Sequence, residues 1–157
     1  MIICLLSACG KDVHESVSAV RKDSDKVKRI SKYENEAIYG VYHLMGSNNE
    51  EIVQLVKQKG FVDKIDMMVI IDCKEDKVIE IKILNHKESE DYGSLLTEEW
   101  FLERFKSKSA AVPLKLVKMS AKDENQVVAI TGATITSKAV VDGVNLCMNN
   151  YHRIKGE

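Results

Sequence analysis

The sequence predicts an α+β fold, in which an antiparallel β-meander sheet is packed by a few helices. Several segments of strand length are rich in β-branched and aromatic residues, and short polar turns separate them, as between neighbouring antiparallel strands. Near the end of the chain, apolar residues recur instead with the period of a helix. The 157 residues, of which 45% are hydrophobic and 30% charged, suffice for one domain with one core.

The predicted strands follow one another through the first half of the chain. We expect strands at 37–45, 51–59, 65–72 and 77–84. Residues 46–49 have turn composition. The 51–59 segment fits a helix or a strand by its pattern, and the flanking turns favour a strand of the meander. In the last strand, a regular alternation predicts one buried and one wet face, with Ile79, Ile81 and Ile83 opposite Val78, Glu80 and Lys82.

Three helices are expected beside this sheet. Apolar residues at 13, 17, 20, 27 and 30 suit a marginal amphipathic helix over 12–32. Thr97 is expected to cap a helix at 98–105, since Thr is a favoured N-cap residue. The two acids in the first turn stabilise this helix through its dipole. The last helix should begin near Ser137, after short strands at 114–119 and 126–130. Its apolar stripe consists of Val140, Val144, Cys147 and Tyr151.

Charge and composition exclude several functions. The 23 basic and 24 acidic residues leave no positive footprint for nucleic acid, and no apolar run is long enough to span a bilayer. The four cysteines lack zinc-ligand spacing, so no metal site is predicted, and Cys73 and Cys147 are expected in the core. No nucleophile, base and acid are arranged as a hydrolase requires, so no catalytic residue is predicted.

The N-terminus resembles a targeting signal rather than a folded element. Leu6-Ser7-Ala8-Cys9 resembles a bacterial lipobox, in which small residues precede the Cys that accepts diacylglycerol. The segment before Cys9 departs from an export signal, because it has only eight residues and no Lys or Arg; an upstream start codon would account for this. The alternative is a buried strand that ends in Cys by chance. The predicted division is 1–9 for a signal remnant, 10–36 for a tether and first helix, and 37–157 for the main domain.

The segment from Ile130 to Lys138 predicts an anion-binding loop. It runs from a strand through a small, hydroxyl-rich loop into a helix, whose first N–H groups and partial positive charge favour phosphate. Gly132 permits close backbone approach or a positive φ. Lys138 could add a cation. The alternative from the residues alone is a helix capped by Thr or Ser with nothing bound.

This segment resembles the flavinylation motif of the FMN-binding domain family. That family includes the C subunit of the Na+-translocating NADH:quinone reductase and the G subunit of the Rnf electron-transport complex. In its motif, Ser or Thr followed by Gly-Ala-Thr ends in the residue whose hydroxyl a separate flavin transferase joins to the phosphate of FMN. By position, that residue is Thr134. The resemblance implies a cofactor site containing Thr131, Gly132, Ala133, Thr134, Ile135, Thr136 and Ser137.

The resemblance covers residues 37–150 and includes a second cofactor loop. The loop after the 65–84 hairpin is similar to a family loop that usually reads Glu-Thr-Pro-Gly-Leu-Gly and lies beside the flavin. The matching positions here, implied to contact the cofactor, are Glu88, Ser89 and Gly93.

Some positions differ from the family pattern. Residues 90–92 lack the usual Pro and Gly, and Val128 replaces an Asp that often precedes the motif. Tyr92 fits a ring stacked on the flavin or a core residue equally well. His86 is expected at the surface of the loop rather than at the flavin.

The resemblance implies an electron carrier with covalent FMN, lipid-anchored through Cys9 on the extracytoplasmic face of a bacterial membrane. A phosphoester suits that location, because an exported protein cannot replace FMN that dissociates. The implied partners are a flavin transferase, redox proteins and the membrane, and the chain would be a redox carrier or part of a larger oxidoreductase rather than a self-contained enzyme. Alternatives are an envelope lipoprotein of the same fold that has lost flavin and serves as a binding or structural module, and a reductase that binds FMN noncovalently.

Overall fold

The computed structural model describes residues 26–156 and contains a five-stranded antiparallel sheet in which sequence neighbours are also spatial neighbours. The sheet is therefore a meander, and the predicted α+β class is confirmed. The four strands expected from the sequence are present to within one residue at each end. The strands are β1 (Lys26–Arg29), β2 (Ile38–Met45), β3 (Glu50–Lys59), β4 (Lys64–Asp72) and β5 (Lys77–Asn85).

The chain after β5 supplies most of the described helices. Three 3-10 helices and a short α1 connect the strands, and β6 and β7 form a separate parallel pair. The 3-10 helices are Ser31–Tyr33, Gly93–Thr97 and Glu103–Phe105. The other elements are α1 (Glu99–Leu102), β6 (Lys115–Val117), β7 (Gln126–Val128) and α2 (Thr134–Lys155).

Helix α2 packs against β3 and β4 and completes the main core. Its predicted stripe is confirmed, since Val140, Val144, Cys147 and Tyr151 are all 1% exposed or less. Each such side chain stabilises the fold by about 1.5–3 kcal/mol relative to an exposed one. We call the side of the sheet that faces α2 the inner face; its strand residues include Ile52, Val56, Met67, Val69 and Ile71.

Two buried amides fix the position of α2 on this face. The Gln54 side-chain amide of β3 donates to the Cys147 carbonyl of α2 (2.7 Å), and Asn150 donates to Gln54 Oε1 (2.8 Å). Asn150 also donates to the Tyr33 carbonyl (3.1 Å). Because an unpaired buried polar group costs free energy, a shift of the helix along the sheet would be penalised.

The opposite side of the sheet, which we call the outer face, has a second apolar cluster. Its side chains come from three central strands, β2, β3 and β4, and are almost completely buried. Residues of β1, β2 and β5 lie at its margin and are partly buried. The six buried members are Tyr42, Leu44, Val53, Leu55, Met68 and Ile70.

The regular alternation predicted for β5 is wrong, because β5 contains a bulge. Ile70 of β4 pairs with Glu80, whereas Ile71 pairs with Val78, so Ile79 is an extra residue. The bulge places Val78 and Ile81 together in the inner cluster and directs Ile79 to the outer one. The sequence pattern of β5 is regular, and the bulge appears only in its pairing with β4.

Three predictions about helices also differ from the structure. From Lys26 to Arg29 the chain is strand β1, so the helix expected over 12–32 does not include these residues; residues 12–25 lie outside the described part. Thr97 does not cap α1, because its hydroxyl donates to the Ser94 carbonyl (2.9 Å) and Glu98 occupies the N-cap position. Helix α2 begins at Thr134, three residues before Ser137.

The two described cysteines lie in or beside the main core. Cys147 is fully buried, and Cys73 packs against the inner cluster at its edge. Burial raises the pKa of the Cys73 thiol to about 12, so this thiol is protonated at neutral pH. Among residues 26–156, no helix combines the length and apolar character needed to cross a membrane.

Replacement of Asn150 by Ala should lower the free energy of unfolding by about 1–3 kcal/mol, because Gln54 Oε1 loses its donor in the core. Urea denaturation measures the difference. Asn149→Ala is the matched control, since the neighbouring amide is exposed, and it should change the free energy by less than about 0.5 kcal/mol. Equal effects of the two variants would contradict the role given to the buried amide pair.

Candidate functional site

The predicted anion loop lies between β7 and α2, and a buried serine fixes its shape. The Ile130 N–H donates to Ser137 Oγ (2.9 Å), and the Ser137 hydroxyl donates to the Ala133 carbonyl (2.8 Å). The Ala133 N–H also closes a turn onto the Ile130 carbonyl (3.0 Å). Ser137 thus ties the end of the strand to the first turn of the helix.

Helix α2 begins at Thr134 without a side-chain cap. The N-cap residue is Ala133, which has no side-chain oxygen to accept hydrogen bonds from the N–H groups of the first turn. A Ser, Thr, Asp or Asn at this position usually stabilises a helix by about 1 kcal/mol. Thr134 itself is exposed. The arrangement therefore presents helix N–H groups, the positive end of the helix dipole and one exposed hydroxyl to the same region of solvent.

A buried carboxylate supports this helix terminus from below. Glu88 is 6% exposed, and its Oε2 accepts hydrogen bonds from the Thr136 hydroxyl and from the Phe61 N–H (3.0 Å). Its Oε1 accepts from the N–H groups of Val62 (2.9 Å) and Asp63 (3.4 Å). Glu88 therefore joins the turn after β3 to the first turn of α2.

The environment keeps Glu88 charged at neutral pH. Burial alone would raise the pKa of this carboxyl, but the hydrogen bonds from Thr136 and from the backbone of residues 61–63 outweigh it and lower the pKa. A carboxylate offers about four lone-pair sites, and four donors occupy them here. Glu88, predicted to contact the cofactor, is thus fully engaged with the protein.

Two glycines allow the chain to approach Glu88 closely. A Cβ atom at Gly60 would lie 2.5 Å from Glu88 Oε1, and one at Gly93 would lie 2.8 Å from Glu88 Cβ. The Gly93 N–H donates to Ser89 Oγ (3.1 Å), which closes the loop around the carboxylate. Ser89 and Gly93 therefore lie where the sequence predicts a second cofactor loop, and their observed contacts shape that loop.

Tyr92 packs on Gly132 and is not a core residue. Its side chain is 54% exposed, and a Cβ at Gly132 would lie 2.9 Å from the ring. Gly132 also has a φ of 82°, so both its conformation and its contact with Tyr92 require glycine.

A cleft of about 290 Å³ opens directly above the helix terminus. It collects most of the residues that the sequence motif predicts, and it adds Ser89 from the second loop. Phe61, from the turn after β3, forms its aromatic wall and is 61% exposed. The lining residues are Phe61, Ser89, Gly132, Ala133, Thr134, Ile135 and Thr136.

Other predicted residues lie outside this cleft or are paired elsewhere. Thr131 is exposed at the rim of a neighbouring cleft of about 340 Å³. The Lys138 ammonium pairs with Asp142 (2.6 Å) rather than with the loop. His86 is half-buried and accepts the Glu88 N–H at Nδ1 (3.2 Å), so it shapes the loop. Cys9 lies outside the described residues.

Val128, which replaces a frequent family Asp, also borders the neighbouring cleft. Its carbonyl accepts a hydrogen bond from Arg104 (2.5 Å), and the Arg104 guanidinium lies 4.8 Å from the centre of the Trp100 ring. The side chain at position 128 is half-buried. The substitution therefore leaves β7 and its contact with the 103–105 helix intact.

Sequence reasoning did not identify Phe61 as a site residue. Phe61 lies more than seventy positions before Thr134, and Glu88 connects the two segments through hydrogen bonds to both. The available signal was the pair Phe61-Val62, two large apolar residues in a glycine-containing turn, where polar residues are usual. Both are more than half exposed.

The residues present fit an FMN whose phosphate lies at the start of α2. The uncapped helix terminus suits the phosphate, the Thr134 hydroxyl suits an ester, and Phe61, Ile135 and Tyr92 offer exposed apolar surface to a flavin ring. No cation among the described lining residues is needed, since a phosphodiester carries a single charge.

The fold is shared with solved structures from two bacteria. The crystal structure of the C subunit of Na(+)-translocating NADH-quinone reductase from Parabacteroides distasonis matches with a TM-score of 0.69 and 15% identity, covering 89% of this chain and 82% of that one. NqrC of Shewanella oneidensis matches with a TM-score of 0.63 and 17% identity, over 87% of this chain and 74% of that one. At these identities the likeness concerns the fold.

The chain belongs to the FMN-binding domain family, whose model matches residues 60–149. The G subunit of the Na(+)-translocating ferredoxin:NAD(+) oxidoreductase complex of Acetobacterium woodii is 33% identical over 138 residues, which are 85% of this chain and 65% of that protein. The G subunit of the proton-translocating ferredoxin:NAD(+) oxidoreductase complex of Clostridium ljungdahlii is 29% identical over 133 residues, 83% of this chain and 67% of that protein. The chain thus spans about two thirds of the length of these relatives.

Replacement of Glu88 by Gln should destabilise the domain at neutral pH by about 1–3 kcal/mol, because an amide cannot accept all the hydrogen bonds that now reach the carboxylate. The folded pKa of Glu88 is lower than the unfolded value, so its stabilisation is complete above about pH 4.3 and is lost as the pH falls through the folded pKa.

Urea denaturation of wild type and Glu88→Gln at pH 7 and at pH 3 tests this linkage. The difference between the two proteins should shrink at the lower pH. Glu90→Gln, a neighbouring exposed carboxylate, should show no difference at either pH. A Glu88→Gln effect that persists unchanged at pH 3 would rule out the charged carboxylate as its source.

Proposed function

We propose that this protein is an electron carrier with FMN esterified through its phosphate to the Thr134 hydroxyl. The observation that supports this most strongly is the position of Thr134. It is the exposed first residue of α2, beside a helix terminus without a side-chain cap, on a cleft of about 290 Å³ with an aromatic wall. Thr136 and Ser137 donate their hydroxyls within the protein, so Thr134 is the better placed acceptor.

The protein contributes position and electrostatics to this function. The first-turn N–H groups of α2 would hold the phosphate, and Ser137 and Glu88 fix that turn from two sides. Phe61 and Ile135 line the cleft and would hold the flavin ring at its surface. FMN, when bound, supplies reversible redox chemistry that can proceed one electron at a time. Because the cleft opens to solvent, a neighbouring carrier could approach the ring directly.

The redox partners are proposed from the relatives. Both belong to complexes that are named as ferredoxin:NAD(+) oxidoreductases. We infer that this chain likewise exchanges electrons with protein partners, as part of a larger assembly or beside one, and is matured by a flavin transferase that forms the ester. The lipobox-like Leu6–Cys9 sequence supports an attachment to the extracytoplasmic face of the membrane through a lipid on Cys9.

The alternative is a domain of the same fold that binds no flavin. Val128, in place of the frequent Asp, and the 90–92 segment without Pro and Gly favour it. The intact Gly132-Ala133-Thr134 sequence and the exposed hydroxyl at the cleft favour the carrier. A flavin that is released on denaturation would instead identify a noncovalent FMN protein.

Thr134→Val should abolish covalent flavin without destabilising the domain by more than about 0.5 kcal/mol, because only an exposed hydroxyl is removed. The full chain is exported in the presence of a flavin transferase and examined on a denaturing gel under ultraviolet light. Tandem mass spectrometry of the tryptic peptide 123–138 then locates the modification. Thr131→Ser, also exposed and in the same loop, keeps the Ser or Thr that the motif requires; it is the control and should retain the flavin on Thr134.

Flavin that survives denaturation of Thr134→Val would refute the assignment of the linkage. A wild-type band that is dark and of unmodified mass, obtained with an active transferase, would favour the alternative without flavin.

Cys9→Ser should move the full chain from the membrane fraction to the soluble fraction and remove metabolically incorporated lipid. Cys4→Ser is the control, because this cysteine lacks the small residues that precede Cys9, and it should leave the distribution unchanged. Membrane association of Cys9→Ser equal to that of wild type would exclude the proposed lipid attachment and would leave the flavin proposal untouched.

A further inference from the structure

The cleft of about 340 Å³ beside the proposed flavin site combines exposed apolar side chains with positive charge, and we call it the basic cleft. Its lining residues include Tyr92, Trp100 and Met119, which are 54%, 44% and 89% exposed. Single apolar side chains are common at protein surfaces, but a group of three around one cleft is typical of an interaction site. Tyr, Trp and Met are also enriched in protein interfaces.

The charged side chains that line the basic cleft are positive. They belong to Arg104 and Lys118, and none of the described lining residues carries a carboxylate. Within residues 26–156, neither cation forms an ion pair. Glu99 and Glu103, the acids of the same helical segment, line a different groove beside β5. The basic cleft therefore presents two cations that have no counterion in the described part of the chain.

Arg104 is held in a fixed position by the protein itself. Its guanidinium donates to the Val128 carbonyl (2.5 Å) and lies 4.8 Å from the centre of the Trp100 ring and 5.8 Å from that of Phe101. Burial lowers the pKa of Arg104, and no described carboxylate raises it. The guanidinium stays charged at neutral pH, because its ordinary pKa lies far above 7. A fixed, half-buried cation of this kind gains more from an added carboxylate than a mobile, fully hydrated one.

The basic cleft shares a border with the proposed flavin site. The Tyr92 ring lines the basic cleft and lies against Gly132 of the flavin cleft, where an added Cβ atom would be 2.9 Å from the ring. Thr131, which precedes Gly132, also lines the basic cleft, and Thr134 lines the flavin cleft. A molecule that docks in the basic cleft therefore lies beside the position proposed for the flavin.

The exposure and charge of the basic cleft favour another protein as its occupant. A small-molecule site usually encloses most of its ligand, whereas Tyr92 and Met119 each expose more than half of their surface to solvent. A second copy docked about a two-fold axis would bring the same cations against each other, and like charges across an interface cost free energy. The occupant that fits is a different protein, with carboxylates that face Arg104 and Lys118.

We propose that the basic cleft is the docking surface for an acidic redox protein that exchanges single electrons with the flavin, an inference that rests on the function proposed above. Carboxylates of the partner pair with Arg104 and Lys118, and its apolar surface covers Trp100 and Met119. The flavin gains the one electron that the partner loses, or the reverse, so no further reactant is required. The interface is small and sensitive to ionic strength, as is usual for transient electron-transfer complexes.

NMR titration of the isotope-labelled full chain with rubredoxin, a small acidic one-electron carrier, tests this proposal. Trp100 is the only tryptophan in the sequence, so its indole N–H gives a single signal from the basic cleft. This signal should shift when rubredoxin is added at low ionic strength, and high ionic strength should abolish the shift. Cytochrome c, a basic carrier, should leave the signal unchanged. The chain is prepared without a flavin transferase, so that binding is measured independently of flavin.

Lys118→Glu should weaken the binding of rubredoxin at least about fivefold, because it reverses a charge that faces the partner's carboxylates. The position is exposed, so the fold should tolerate the change. Lys28→Glu is the matched control, since it makes the same change at an exposed lysine of β1, whereas the helical segment of the basic cleft packs beside β5 at the opposite edge of the sheet. The control should weaken binding less than about twofold.

An indole signal that rubredoxin leaves unchanged at low ionic strength would overturn the proposal, as would equal effects of Lys118→Glu and Lys28→Glu. A shift that depends on the concentration of the chain alone would identify a second copy as the occupant, and an equal shift with inorganic phosphate would identify a small anion; either result would overturn it. Flavin on Thr134 without rubredoxin binding would overturn this inference and leave the function proposed above intact. Binding without flavin would retain the docking surface and overturn that function.

Discussion

The carboxylate of Glu88 ties the turn between β3 and β4 to the first turn of α2 by hydrogen bonds to both. A buried charge is costly unless donors surround it, and here the Thr136 hydroxyl and three consecutive backbone N–H groups do so. The turn of residues 60–63 and the first turn of α2 consequently hold a fixed distance. This link places Phe61 and Thr134 on the same cleft. Gly60 and Gly93 leave the space that the carboxylate occupies.

Most of the fold could be predicted from the sequence because its signals are local. Strands of alternating or β-branched residues between turns define the meander, and a four-residue stripe identifies α2. The β5 bulge was not predictable, since Ile79 is extra only in relation to its partner strand β4. Thr97 is of a residue type that favours the N-cap position, yet it is the last residue of a 3-10 helix, and its hydroxyl donates to the Ser94 carbonyl of that helix.

The candidate site shows the same division between local and distant information. The motif identifies the segment around Thr134, and the structure places this segment at a cleft. The hydrogen-bond partner of a hydroxyl group cannot be predicted from the sequence near it. Thr136 and Ser137 carry the same hydroxyl group as ligand-binding residues, but both hydroxyls bond within the protein. The Thr136 hydroxyl donates to Glu88, and the Ser137 hydroxyl donates to the Ala133 carbonyl. Phe61 reaches the cleft through tertiary structure, which no pattern near the motif encodes.

The long sequence separation of the Glu88 contacts has a consequence for the order of folding. They connect positions 27 and 48 residues apart, and closing loops of this length costs chain entropy before any contact repays it. We therefore expect the surroundings of Thr134 to assemble after β3, β4 and β5 have paired. An enzyme that recognises the shape of this terminus would find it in the folded domain and not in a nascent chain. If a transferase attaches the flavin as proposed, folding precedes that step, and misfolded copies remain without cofactor.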